Sequence, residues 1–72
     1  MNQIAVFPGS FDPFTKGHED IAHRALQLFD KIYIAIGVNE QKKNMFSVQT
    51  RQENITSLFE NNSKIEVLSY TG

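Results

Sequence analysis

Ile32-Tyr33-Ile34-Ala35-Ile36 is apolar at every position and rich in β-branched residues. Such a run is too short for a helix and too continuous for a strand with one wet face. It predicts a strand buried on both faces, as in a parallel sheet. Parallel neighbours need long crossover connections, usually helical, and the flanking sequence supplies them. Upstream, Ile4-Ala5-Val6-Phe7 forms a short apolar run closed by the breakers Pro8-Gly9. Between the two runs, Ile21, Ala22, Ala25, Leu26 and Phe29 recur at helical spacing. Glu19, Asp20, His23, Arg24 and Gln27 fill the opposite side, so a helix is expected from Gly17 to Phe29. Downstream, Ser47 is suited to cap a second helix with the apolar stripe Val48, Ile55, Leu58 and Phe59. Asn61-Asn62 is expected to end that helix, and Ile65 to Tyr70 resembles a third strand. The order is β-α-β-α-β with right-handed crossovers.

That order is half of a Rossmann-like, doubly wound parallel α/β sheet. In such sheets ligands bind beyond the carboxyl ends of the strands. Two loops lie there, Pro8–Gly17 and Gly37–Phe46. The first reads Pro8-Gly9-Ser10-Phe11-Asp12-Pro13-Phe14-Thr15-Lys16-Gly17-His18. It matches neither the G-x-G-x-x-G dinucleotide fingerprint nor the G-x-x-x-x-G-K-[ST] P-loop. It nevertheless carries what a phosphate needs. Gly9 allows close backbone approach, Ser10 offers a hydroxyl donor, and the next helix presents free N–H groups and a positive dipole end. His18 falls in that first turn, where a ring N–H donates to an anion whether or not the ring is charged. Read alone, such a histidine is a solvent-facing first-turn residue; its neighbours change that.

Composition narrows the classes further. Seven basic and eight acidic residues give a formal net charge of −1, which argues against nucleic-acid and membrane-surface binding. No apolar run approaches transmembrane length, and the amino terminus lacks the features of a secretory signal, so the cytoplasm is the expected compartment. The 72 residues contain no cysteine to staple a small core. A chain of this size buries only about 60% of its unfolded surface. It is expected to be stabilised by partners or to be a piece of something longer. No pair of carboxylates has metal-ligand spacing.

The string G-S-F-D-P-x-T-x-G-H, after a buried strand and opening a helix, resembles the signature of the class I nucleotidyltransferases. Here it stands at Gly9, Ser10, Phe11, Asp12, Pro13, Thr15, Gly17 and His18. Within that superfamily the chain resembles the pantetheine-phosphate adenylyltransferases at Pro8 to Pro13, at Phe29-Asp30, at Lys42-Lys43 before Met45-Phe46, and at Arg51. The likeness runs from about residue 4 to residue 70. It departs at Asn44, where proline is common, and at Gly72, where an acidic residue is common and contacts pantetheine. The resemblance makes residues 1–72 the amino-terminal part of a single nucleotidyltransferase domain. The family's later arginine segment and I-S-S-x motif, which contact ATP, are absent. Half a site is therefore expected, and little or no activity from these residues alone.

The resemblance implies adenylyl transfer from ATP to 4′-phosphopantetheine, giving dephospho-coenzyme A and pyrophosphate, with Mg²⁺ on the nucleotide and a hexameric protein. It assigns Ser10, Phe11 and His18 to ATP, Ser10 and Lys42 to phosphopantetheine, and His18 and Lys42 to stabilising the transition state. Lys43 has no comparable role and reads as solvent-exposed, His23 as structural or neutral, and Asp12 as a turn residue or a catalytic carboxylate. Another nucleotidyltransferase of the superfamily, acting on nicotinamide mononucleotide or a phosphorylated alcohol, is the nearest alternative. A non-catalytic nucleotide-binding fragment is the alternative of a different class.

Overall fold

The computed structural model describes residues 3–38 and 46–71. Strand β1 spans Ile4–Gly9, helix α1 Lys16–Ala25, strand β2 Lys31–Val38, helix α2 Val48–Leu58 and strand β3 Ile65–Thr71. The strands form one parallel sheet in the order β1-β2-β3, with Phe7 beside Ile34 and Ile34 beside Val67. The Rossmann-like β-α-β-α-β unit expected from the sequence is present.

The apolar run of β2 explains the arrangement. Its alternate residues Ile32, Ile34 and Ile36 are fully buried, with Ala22 from α1 and Ile55 and Phe59 from α2 in the same cluster. Both helices therefore cover one face of the sheet. Fully burying an isoleucine is worth roughly 1.5–3 kcal/mol, so this row is the main source of cohesion. Ala5, Phe7, Ile65 and Val67 of the outer strands extend the same face. On the other face Ala35 is buried and Tyr33 half-buried, while Ile4 and Val6 are exposed.

Several boundaries differ from expectation, each for a local reason. Pro8-Gly9 does not stop β1 but finishes it, opposite Ala35 and Ile36. β1 is an edge strand of the described sheet, and an edge tolerates the missing proline N–H. Helix α1 ends at Ala25 rather than Phe29, because Gln27 and Leu28 donate to Arg24 and Ala25 carbonyls three residues back and tighten the chain into turns. Asp30 then takes the chain into the sheet, its carboxylate accepting from the Gln3 N–H at 2.8 Å while its own N–H donates to the Gln3 carbonyl. Helix α2 stops at Leu58, short of Asn61-Asn62, where Phe59 leaves helical geometry at φ −120° and turns its ring into the core. Asn62 instead shapes the next turn, its side-chain oxygen accepting from the Lys64 N–H. Ile21 and Leu58, assigned to the apolar stripes, are 52% and 48% exposed. Neither described helix is long and apolar enough to cross a membrane.

Candidate nucleotide site at the carboxyl edge of the sheet

Beyond Gly9 the chain turns through Ser10 to Phe14 into α1, and beyond Val38 it returns at Phe46 to start α2. Two contacts join these segments at the sheet's carboxyl edge. The Asp12 carboxylate accepts from the Phe46 N–H at 2.8 Å, and Arg51 Nη1 donates to the Ser10 carbonyl at 2.7 Å. Asp12 is thus a strap between the loops, which fits its reading as a turn residue.

The T-x-G-H tetrad has a structural meaning that composition could not reveal. Thr15 is the N-cap of α1, and Lys16, Gly17 and His18 are its first three helical residues. The Thr15 hydroxyl lies 3.4 Å from the His18 N–H, and the Thr15 N–H donates to His18 Nδ1 at 3.0 Å. This is a capping box with histidine where glutamate or glutamine usually stands. A backbone N–H can only donate, so Nδ1 acts as acceptor and Nε2 carries the ring proton. The fold thereby selects the tautomer and leaves Nε2–H as the ring's donor, beside the unsatisfied first-turn amides of α1.

Aromatic rings fix the imidazole in place. Phe11 meets it edge-on at 5.1 Å and Phe14 lies tilted at 5.4 Å. Phe11 also contacts Phe7 at 5.0 Å and Phe14 at 5.2 Å, and Phe14 reaches Phe59 of α2 at 6.1 Å. The lack of a side chain at Gly9 serves this cluster, since a Cβ there would come within 2.9 Å of the Phe11 ring. Phe11 itself is only 3% exposed and adopts φ 48°, so its ring belongs to the core.

Of the residues expected in the site, Ser10, Phe11 and His18 come together on this shelf. Lys42 and Lys43 fall in 39–45, outside the described residues. His23 pairs with Glu19 at 3.6 Å and packs on Phe59, consistent with a structural part. Arg51, noted in the sequence only for its resemblance, is 2% exposed and makes its contacts to backbone carbonyls. Phe14 was likewise not singled out, and Thr15 stood only as a position of the motif. The Thr-x-x-His spacing could have flagged Thr15 as a cap, and the place of Arg51 between Val48 and Ile55 could have marked it as inward-facing, though not the carbonyls it meets. A groove of about 330 Å³ along α2, lined by Gln49, Gln52, Glu53, Thr56 and Ser57, shares no residue with this shelf. Among the described residues no group of three histidine, aspartate or glutamate side chains is placed to hold a metal.

The chain is 52% identical over 69 residues to phosphopantetheine adenylyltransferase of Porphyromonas gingivalis, which covers 96% of this chain and 45% of that protein. It is 54% identical over 72 residues to phosphopantetheine adenylyltransferase of Cytophaga hutchinsonii, covering 100% of this chain and 48% of that one. The chain thus spans about half the length of the curated relatives it matches. Among solved structures, a bifunctional NMN adenylyltransferase/ADP ribose pyrophosphatase from Francisella tularensis superposes with a TM-score of 0.82 at 30% identity. It covers 100% of this chain and 23% of that one. The same kind of protein complexed with AMP and a Mn ion gives a TM-score of 0.71 at 34% identity, over 99% of this chain and 22% of that one. A family model described as cytidylyltransferase-like matches residues 6–71, from the middle of β1 to the last residue of β3, and the chain belongs to that family.

Proposed function

We propose that the full-length protein transfers the adenylyl group of ATP to 4′-phosphopantetheine, giving dephospho-coenzyme A and pyrophosphate in coenzyme A synthesis. In this reading residues 1–72 are the amino-terminal part of a single nucleotidyltransferase domain. The observation that carries it is the 54% identity to a phosphopantetheine adenylyltransferase across all 72 residues. The shelf fits the chemistry. The acceptor phosphate is already an anionic nucleophile at neutral pH, so no general base is required. What the reaction needs is to bring anions together and to stabilise the charge that builds on the α-phosphoryl oxygens.

Ser10 supplies a hydroxyl, the Phe11 backbone an amide, α1 its first-turn amides, and His18 its Nε2–H. Lys42 adds a cation for the acceptor phosphate and for the transition state. These are ATP contacts at Ser10, Phe11 and His18 and phosphopantetheine contacts at Ser10 and Lys42. The Mn ion in the related AMP complex supports a divalent cation, taken here as Mg²⁺. With no ligand cluster among the described residues, it is assigned to the ATP phosphates as part of the substrate, and no step is derived through it. A hexameric assembly and a cytoplasmic setting complete the proposal. Light scattering that finds only monomers of the full-length protein would remove the hexamer.

Pyrophosphate release by the full-length protein tests the assignment, with phosphopantetheine and nicotinamide mononucleotide as rival acceptors. Turnover with phosphopantetheine is expected, and a preference for the mononucleotide would replace this reading with the alternative enzyme. In the same assay Lys42→Ala is expected to raise KM for phosphopantetheine about tenfold or more, the scale of a lost hydrogen bond to a charged group. Lys43→Ala is expected to change little. Equal losses for the two would remove the distinction between them.

A further inference from the structure

We infer that Arg51 is a positioning residue that holds the Ser10–Phe11 peptide with its N–H turned toward the nucleotide phosphates. The inference rests on the proposed nucleotide site and deepens it. Arg51 is the buried charged side chain among the described residues, at 2% exposure. Its Nε donates to the carbonyls of Phe46 at 3.1 Å and Ser47 at 3.3 Å, and its Nη1 to Ser10 at 2.7 Å, 41 residues away. Helix α2 does not need this guanidinium for its own start. Ser47 already caps it, and the Arg51 backbone N–H closes the first turn onto the Ser47 carbonyl. A buried guanidinium is costly to desolvate and is retained where its fixed fork of donors is used.

The Ser10 bond has a specific consequence. The Ser10–Phe11 peptide is trans, so its C=O and N–H point in opposite directions. With the carbonyl drawn to Arg51, the Phe11 N–H faces the other way. Phe11 sits at φ 48°, a left-handed geometry that a side chain of its size rarely adopts. Rotation of a peptide plane changes ψ of the first residue and φ of the second together. The strained φ of Phe11 and the inward Ser10 carbonyl are therefore one geometric fact. Arg51 holds the plane in the orientation that the backbone of Phe11 resists. If the guanidinium is removed, the plane is free to flip, which relaxes φ and presents a carbonyl oxygen where an amide donor had faced the phosphates.

The test uses the full-length protein with Arg51→Met, which keeps length and loses every donor, and Arg51→Lys, whose single ammonium cannot span the separated carbonyls. Each is titrated calorimetrically with ATP and, separately, with adenosine, with no acceptor present. Arg51→Met is expected to lose ATP affinity by up to about 10²-fold, the scale of a misplaced site group, and to keep its adenosine affinity. Arg51→Lys should fall between. A purely structural role would weaken both ligands in parallel, and that result, or unchanged ATP binding, overturns the inference. If Arg51→Met does not fold, the same ATP-against-adenosine contrast in Arg51→Lys decides. A wild-type protein that binds ATP but ignores phosphopantetheine overturns the acceptor assignment alone and leaves this test intact.

Discussion

Full-length protein carrying His18→Ala is expected to stay folded and to lose about 10²–10³-fold in kcat, with a much smaller change in KM for ATP. The expectation follows from the ring's hydrogen bonds. Nδ1 is occupied by the Thr15 N–H, so Nε2–H is the donor left for an oxygen on the α-phosphorus. If that bond strengthens as charge builds, its loss falls on the transition state rather than on binding. His18 also completes the capping box of α1, so alanine should cost stability as well, on the order of 1 kcal/mol. Two further substitutions separate the two effects. Glutamine at this position keeps both an acceptor for Thr15 and an outward N–H, so His18→Gln should recover the melting temperature and part of the rate. His18→Glu keeps the acceptor but turns an anion toward the phosphates, so it should melt near wild type with kcat no higher than the alanine variant. A His18→Glu enzyme with substantial turnover would remove this residue from catalysis and leave it as a cap.

Phe11→Ala is expected to cost about 3–5 kcal/mol of stability, the usual scale for truncating a buried aromatic residue. Its ring is 3% exposed, fills the space that Gly9 leaves, and touches Phe7, Phe14 and His18. Alanine would keep the unfavourable φ while losing the packing that offsets it. Phe11→Leu should lose less, because it refills part of the cavity. Urea unfolding of the full-length protein measures both, and a change in midpoint without a change in slope isolates stability. A cost below about 1 kcal/mol for alanine would mean that the site can collapse around the missing ring. The imidazole would then be held by its Thr15 bond rather than by the aromatic cluster.

These residues mark the boundary between what was legible in the chain and what was not. The parallel sheet could be read from Ile32 to Ile36, because burial on both faces leaves no polar alternation. The order of elements followed from that run and from the helical spacing between strands. The Ser47 cap was legible because capping is local chemistry, and so was the position of the loop from Pro8 to Gly17, which breakers and topology place together. Lys42 and its contacts lie outside the described residues, so the acceptor side of the site rests on likeness to relatives.

Other features were decided only when distant segments met. Apolar periodicity could not tell that Ile21 and Leu58 would stay about half exposed, since spacing gives a stripe and not its neighbour. Pro8-Gly9 read as a stop because breakers act on isolated chain, whereas an unpaired edge accommodates them within β1. The left-handed Phe11 is affordable only where its ring enters a core built from β1, α1 and α2. Arg51 falls on the apolar stripe of α2, three residues after Val48 and four before Ile55, but spacing cannot say what a cation would bond there. Its burial depends on the Ser10 carbonyl, 41 residues earlier, arriving within 2.7 Å of Nη1. Among the described residues, the sequence alone determined that Ser10, Phe11 and His18 would lie at the carboxyl edge of the sheet. Their orientation there depends on hydrogen bonds between segments far apart in the chain, and such bonds have no local signature.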